Sequence, residues 1–189
     1  MWLHDRRAAL GRALRLAAVI GVAGLAGACF QPLYGDRSVS MNGSDLRAKL
    51  ASIEVAQVPA PSGTSDARIA VELRNALLFD LTGGEGGIAP THRLSINMRT
   101  SKSALIVDVA TGRTEAEVTG IDVSYSLTEL ATGKVVVNGT TFSRVSSDVP
   151  GEQQRFAHAR AQRDAEDRAA KVVAEQIRNR LTSYMVART

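Results

Sequence analysis

The chain has 189 residues, of which 23 are Lys or Arg and 19 are Asp or Glu, giving a net charge of +4. Four arginines and one aspartate fall within residues 1–28, so the remaining 161 residues carry a net charge of only +1. A nucleic-acid-binding protein needs a clustered basic face, and this balance excludes nucleic acid as a partner. The single cysteine excludes a disulfide within the chain.

Residues 1–28 have the three parts of a secretory signal peptide. Positive charge comes first, residues 16–28 are uncharged and apolar, and small side chains at Ala26, Gly27 and Ala28 precede Cys29. A cysteine directly after small residues resembles the lipobox of bacterial lipoproteins, in which that cysteine is acylated and becomes the new N-terminus. We predict cleavage between Ala28 and Cys29, lipidation of Cys29, and attachment to the membrane by that lipid.

Two alternatives compete with lipidation. In the first, Cys29 is an ordinary buried thiol that follows an ordinary signal peptide. In the second, the segment stays in place as a membrane anchor, which needs about 20 apolar residues. The uncharged run that ends at Asp36 reaches this length only if Gln31, Pro32 and Gly35 are counted. Pro and Gly make a poor helix end, so cleavage is favoured.

The segment after the cysteine begins without clear periodicity and then alternates. Residues 29–49 contain Pro, Gly, Ser and Asn, which favours a tether between the lipid and a domain that spans residues 50–189. Residues 50–58 alternate apolar and polar side chains, with Ile53 and Val55 on one face. This alternation predicts a half-buried strand.

Residues 66–82 change to a helical period. The sequence predicts a helix whose first turn is capped by Thr64, Ser65 or Asp66 and which ends at Gly83. Apolar side chains three or four residues apart form a single stripe along it: Ile69, Leu73, Ala76, Leu77 and Leu81.

Three further strands are predicted over residues 92–109, 114–130 and 134–146. Two similar turns, DVATGR at 108–113 and ELATGK at 129–134, connect them. Glycine in each turn supplies the positive φ that a short hairpin needs.

Irregularities are expected inside two of these strands. The apolar phase of the strand over 114–130 changes at Gly120, which predicts a β-bulge there. Residues 101–103 separate two apolar stretches of the strand over 92–109, and we expect a bend or bulge at this point.

A long C-terminal helix is predicted from residue 152 to about residue 186, because this segment contains neither Pro nor Gly. Its apolar stripe consists of Ala165, Ala169, Val173, Ile177, Leu181 and either Tyr184 or Met185. Three acidic residues on the same helix are interpreted as solvated charges: Asp164, Glu166 and Asp167.

The order of elements is strand, helix, three-stranded meander, helix. Each strand has one apolar face and each helix one apolar stripe, so the predicted fold is α+β, with two helices on one face of a mixed sheet of about four strands. The first strand joins the meander through a crossover that contains the first helix. The other face of the sheet is polar, so it is either wet or used for binding.

These features together resemble the LptE-type lipopolysaccharide-assembly lipoproteins. The resemblance rests on the lipobox followed at once by CFQPLYG at 29–35, the β-α-β-β-β-α order and the long charged last helix. The usual Cys-Gly-Phe of that family is here Cys29-Phe30, without the glycine. The resemblance implies an outer-membrane lipoprotein that plugs the lumen of the lipopolysaccharide-translocon barrel, helps the barrel to assemble and binds lipopolysaccharide.

An enzyme is not expected. Only His92 and His158 remain after residues 1–28 are removed, and the chain has no nucleophile elbow, phosphate-binding loop or metal-ligand spacing. We therefore predict no catalytic residue, no metal and no cofactor.

The predicted function is that of a plug and assembly partner of the translocon barrel, anchored by its lipid at the periplasmic leaflet of the outer membrane. The chain would aid lipopolysaccharide insertion at the cell surface. Two alternatives stay open: an auxiliary periplasm-facing lipoprotein of another envelope lipid transporter, or a purely structural envelope lipoprotein.

Lipopolysaccharide carries phosphates beside acyl chains, so a binding surface should present Lys or Arg near exposed apolar groups. Five basic residues are candidates for binding phosphate: Arg93, Arg99, Lys102, Arg113 and Lys134. We favour Arg113 and Lys134, which each follow a twin turn and are expected at the same end of the sheet. The competing interpretation is that all five are edge charges that discourage aggregation between strands.

Overall fold

The computed structural model describes residues 43–84, 88–150 and 154–187. Cys29, the signal peptide and the first part of the tether lie outside these described residues. Seven elements follow one another in the order α-β-α-β-β-β-α: α1 (Gly43–Ala51), β1 (Ile53–Val55), α2 (Ser65–Thr82), β2 (His92–Val107), β3 (Thr114–Glu129), β4 (Val135–Asp148) and α3 (Arg155–Ala187).

The four strands form one mixed sheet in the order β1-β2-β3-β4. β1 runs parallel to β2, and β2, β3 and β4 form an antiparallel meander. Helix α2 is the crossover between the two parallel strands, as the sequence predicts. The α+β fold with a mixed four-stranded sheet is therefore confirmed.

The core lies between one face of the sheet and the apolar stripes of α2 and α3. From the sheet it takes Leu94 and Ile96 of β2 and the alternate residues Ile121, Val123, Tyr125 and Leu127 of β3. Helix α2 adds Ile69, Leu73, Leu77 and Leu81, and α3 adds Ala169, Val173, Ile177, Leu181 and Met185. The two predicted stripes are confirmed, because helical spacing alone places these side chains in line.

The caps of α2 are also as predicted. The Thr64 hydroxyl accepts a hydrogen bond from the backbone N–H of Ala67 at 3.3 Å, so Thr64 is the N-cap. Gly83 ends the helix with φ at +70°, and its N–H donates to the carbonyl of Phe79 at 2.8 Å. A residue in the left-handed conformation at this place directs its N–H to a carbonyl of the last turn, which would otherwise have no partner at the end of the helix.

Helix α1 differs from the sequence prediction. The sequence pattern places residues 43–49 in the tether, whereas in the structure they are helical, and Leu46 and Leu50 pack against the core. The predicted strand over 50–58 is correspondingly short and contains only Ile53–Val55. Two leucines four residues apart give too little periodicity to reveal a helix of nine residues.

Gly120 does not form a bulge. β3 pairs without interruption on both sides of it, with Ser101 on β2 and with Arg144 on β4. A Cβ at Gly120 would lie 2.5 Å from Ser101 Oγ and 3.0 Å from Arg144 Cδ, so the position needs glycine because two side chains lie across it. The bulge prediction is wrong.

The irregularity expected at 101–103 falls a few residues later in β2. The register with β3 is regular through Ala104 and shifts between Ala104 and Val107. A second shift occurs between β3 and β4 at Leu127 and Thr128.

Candidate functional site

Two of the five candidate cations lie on the face of the sheet turned away from α2 and α3, called here the open face. Side chains alternate along a strand, and Leu94 and Ile96 face the core, so Arg93 and Arg99 point to the open face. Arg93 donates to the Glu54 carboxylate at 3.0 Å. No ion pair of Arg99 is found within residues 43–84, 88–150 and 154–187.

Most of the other side chains on the open face are short and polar. Residues with small hydroxyl or amide side chains occupy it on all three long strands: Ser95, Asn97, Ser101, Ser103, Ser124, Ser126, Thr128, Asn138, Thr140 and Ser146. Arg144 crosses this face from β4 and binds both carboxylate oxygens of Asp122, at 2.8 and 2.9 Å. The Phe142 ring beside it is 63% exposed, with its centre 5.4 Å from the Arg144 guanidinium carbon.

Lys102 lies on the opposite, helix-covered face. Its Nζ donates to the Glu166 carboxylate on α3 at 2.9 Å. Arg68 on α2 donates to the same carboxylate, and Gln162 approaches it at 3.2 Å. The Glu166 side chain is fully buried, so the interpretation of this residue as a solvated helix charge is wrong.

The two cations keep Glu166 ionised. Burial on its own would raise the pKa of this carboxyl, since an apolar surrounding disfavours charge. Hydrogen bonds from Lys102 and Arg68, together with their positive charges, outweigh burial and lower the pKa below its ordinary value. Lys102 is thus already engaged by a protein carboxylate.

Arg113 and Lys134 lie at opposite ends of the sheet, and the expectation that they share one end is wrong. Arg113 follows the β2–β3 turn and Lys134 follows the β3–β4 turn, so the whole of β3 separates them. Sixteen residues of strand span roughly 50 Å at about 3.3 Å per residue. The two residues therefore belong to two separate surfaces.

The twin turns themselves have the same geometry. Gly112 has φ at +68° and donates to the Asp108 carbonyl at 2.7 Å; Gly133 has φ at +67° and donates to the Glu129 carbonyl at 2.8 Å. The Asp108 carboxylate also accepts the N–H of Ala110 at 2.8 Å. This bond, followed by the Thr111 hydroxyl and the charge of Arg113, lowers the pKa of Asp108.

The end of the sheet near Arg113 contains an open cavity of about 670 Å³. Arg113, Arg155 and His158 line it together with the carboxylates of Asp108 and Glu115 and the apolar surface of Val149 and Pro150. Arg155 is the first residue of α3, and sequence reasoning missed it because nothing local places the start of that helix beside the β2–β3 turn.

Exposed apolar side chains surround the same end. Val109 in the turn is 99% exposed and Phe156 at the start of α3 is 89% exposed. Leu105, Ile106 and Val107 at the end of β2 are each about half exposed. Guanidinium groups beside bare apolar surface suit an amphiphile that carries both phosphate and acyl chains.

No group of three or more His, Cys, Asp or Glu side chains suited to a metal ion occurs among the described residues. None of the helices described above is both long and apolar enough to span a membrane.

Comparison with known proteins gives a family and a fold. The family model "LptE: Lipopolysaccharide-assembly" matches residues 50–181, which is most of the chain. No match was found among curated protein sequences.

Among solved structures, a putative lipoprotein from Caulobacter crescentus CB15 superposes with a TM-score of 0.59 at 21% identity, covering 76% of this chain and 97% of that chain. The rare lipoprotein B from Shewanella oneidensis gives a TM-score of 0.50 at 13% identity, covering 71% and 96%. At these identities the two structures support the fold alone. The family match over residues 50–181 shows that this chain belongs to the LptE lipopolysaccharide-assembly family.

Proposed function

We propose that the mature protein is a lipid-anchored plug and assembly partner of the outer-membrane lipopolysaccharide-translocon barrel, and that it aids lipopolysaccharide insertion at the cell surface. The observation that carries this proposal is the family match, which extends from the end of α1 to the last turns of α3. The signal peptide and lipidated Cys29 predicted from the sequence would hold the protein at the periplasmic leaflet of that membrane.

The polar open face supports the role of a plug. A large barrel encloses an aqueous lumen unless a domain fills it. Serine, threonine and asparagine side chains on three strands give this face many hydrogen-bonding groups. These groups can bind either water or a polar barrel wall. The apolar core lies wholly on the other side of the sheet, so contact with the wall would not disturb it.

For lipopolysaccharide itself, the surface at the β2–β3 end is the stronger candidate. Arg113 and Arg155 line one cavity there, and Val109 and Phe156 offer exposed apolar surface next to it. In this proposal the guanidinium groups bind phosphate, and the apolar side chains contact acyl chains. Lys134 offers a second, separate cation at the other end, beside Val135, which is 57% exposed.

The remaining candidates are weaker phosphate ligands. Arg93 is paired with Glu54, and Lys102 is paired with buried Glu166, so phosphate would have to compete with a protein carboxylate at either residue. Arg99 lies on the open face, where the proposed plug would meet the barrel wall.

The test is co-purification. The full-length lipoprotein, extracted in detergent from the cells that make it, should elute with a large β-barrel, and the Cys29→Ser variant should lose most of that barrel because it is no longer held at the membrane. A wild-type lipoprotein that elutes alone, at the same yield, would favour one of the two alternative envelope roles.

A further inference from the structure

Strand β2 has a long edge without a neighbouring strand. β1 pairs with only three of its residues, 92–94. From residue 96 to residue 107, β2 has β3 on one side and, within the described part of the chain, no strand on the other. These twelve residues extend roughly 40 Å at about 3.3 Å per residue, which is longer than a typical complete strand.

The hydrogen-bonding groups on this edge can be assigned by alternation. The Leu94 carbonyl accepts from the N–H of Ala56 at 2.9 Å, so even-numbered residues of β2 direct their backbone groups to the β1 side. Met98, Thr100, Lys102 and Ala104 therefore present their N–H and C=O groups to the bare edge. No neighbouring strand pairs with these groups on the β1 side, and no bond to them from a turn or loop is found among the residues that the structure describes.

Proteins protect an exposed edge with charged side chains, proline, β-bulges or a covering segment. The end of this edge has the register shifts between Ala104 and Val107 but neither a charged side chain nor a proline. On β4, the other edge strand, Arg168 of α3 reaches the Ser146 carbonyl at 3.5 Å. The last four residues of β2 are Ala104, Leu105, Ile106 and Val107, all exposed and all apolar. Such a segment is typical of a surface that another strand covers.

The charge beside this edge indicates what the covering strand carries. Arg99 faces Asp122 across the β2–β3 ladder, but both oxygens of Asp122 are bound by Arg144. Arg99 is thus left beside the bare edge with no acidic partner in the described residues. A carboxylate on an added strand would complement it directly.

We propose that residues 98–104 of β2 pair with an extended segment of the barrel partner, one that places an acidic side chain beside Arg99 and continues with apolar side chains beside Leu105 and Val107. Only an extended chain matches a row of alternating N–H and C=O groups, and strand addition of this kind gives affinity through the main chain and specificity through the side chains. This inference rests on the proposed function, because it takes the barrel as the partner.

The first measurement is hydrogen exchange on the purified complex of the full lipoprotein with its barrel. The amides of Met98, Thr100, Lys102 and Ala104 should exchange at least tenfold more slowly in the complex than in the free lipoprotein. Unchanged exchange at all four amides in an intact complex overturns the proposal. A wild-type lipoprotein that forms no complex with the barrel counts against the proposed function instead, so the two failures are distinguishable.

A matched pair of variants at one position gives the second measurement. Ala104→Pro removes an N–H that points away from β3, and an edge strand tolerates proline in that orientation, whereas Ala104→Val keeps the N–H. Ala104→Pro should weaken the complex at least tenfold, and Ala104→Val should leave it unchanged. Arg99→Glu, an exposed substitution that leaves the backbone intact, should also weaken the complex; retention of wild-type affinity by both Ala104→Pro and Arg99→Glu overturns the proposal.

A second copy of this chain is the other possible occupant. The mass of the free lipoprotein in solution decides this point. A dimer that Ala104→Pro converts to a monomer would assign the edge to self-association and overturn pairing with the barrel.

Discussion

The carboxylate of Glu166 on α3 is completely buried and accepts a hydrogen bond at 2.9 Å from Lys102, which lies 64 residues earlier on β2. Arg68 of α2 binds the other oxygen of the same carboxylate, so one side chain joins both helices to the sheet. The apolar stripes set which faces pack together, and this cluster adds a polar contact at one defined position along them.

Glu166→Gln should destabilise the domain by about 1 to 3 kcal/mol. Breaking a buried ion pair commonly costs about 3 to 5 kcal/mol, but Arg68 and Lys102 are 44% and 35% exposed and can recover water. Urea unfolding of the domain measures the change. Asp164→Asn is the matched control on the same helix, because its pair with Arg168 is exposed and should contribute less than about 0.5 kcal/mol.

The same carboxylate predicts a dependence of stability on pH. The pKa of Glu166 is lowered in the folded state, so the unfolded chain takes up its proton first as the pH falls below the ordinary value of 4.5. The stabilisation is present above that pH and is lost as the pH falls through the lowered pKa. Unfolding of wild type and Glu166→Gln, measured from pH 7 down to pH 3, should give a free-energy difference that shrinks with acid; a constant difference would contradict the assignment.

Gly120→Ala should destabilise the sheet by about 1 to 3 kcal/mol, through overpacking rather than through a bulge. The new Cβ would lie 2.5 Å from Ser101 Oγ. Ser101→Gly removes that oxygen, so the substitution should cost less in a Ser101→Gly background, where only the flexible Arg144 side chain has to move. Equal costs in both backgrounds would mean that Ser101 is not the obstacle.

The sequence predicts the apolar contacts of the two long helices better than it predicts the polar contact at Glu166. The stripes through Leu73, Leu77, Val173 and Ile177 are visible in the sequence, because burial on a helix follows a fixed local spacing. The burial of Glu166 is not visible in the sequence, since it depends on partners 64 and 98 residues away that only the folded chain brings together.

The errors at Gly120 and at the twin turns have different physical origins. A change in the apolar phase of β3 predicts a change in its pairing, whereas the ladder is continuous at Gly120 and the glycine makes room for side chains from both neighbouring strands. The opposite placement of Arg113 and Lys134 follows from the meander itself, because successive antiparallel connections alternate between the two ends of a sheet. The cavity that joins Arg113 to Arg155 required the structure.

Charge reversal at Arg113 should weaken lipopolysaccharide binding more than charge reversal at Lys134. Arg113→Glu should raise the Kd at least tenfold at low salt, because it removes the proposed phosphate ligand from the cavity shared with Arg155 and introduces a repelling charge. Since the two residues lie at opposite ends of the sheet, each single variant serves as the control for the other.

The difference between these two variants should narrow at high salt, where exposed charges are screened. Wild-type affinity of Arg113→Glu at low salt, in a correctly folded domain, would remove the β2–β3 end from consideration as the phosphate site.

Lipidation of Cys29 is tested by the intact mass of the protein extracted from membranes. The account predicts loss of residues 1–28 and an added mass from acyl chains on Cys29. The variant Cys29→Ser should fold as the wild type does but appear in the soluble fraction, since each buried CH₂ contributes about 0.8 kcal/mol to anchoring. A mass that retains Met1, or an unmodified thiol, contradicts this part of the account.

The central claim, that this protein aids lipopolysaccharide insertion at the cell surface, is tested most directly by depleting it from the cells that make it and measuring lipopolysaccharide accessible on the outer leaflet. The account predicts that surface lipopolysaccharide and the amount of assembled translocon barrel fall together, and that wild type but not Cys29→Ser restores both. Surface lipopolysaccharide that stays at its normal level after depletion would contradict the claim.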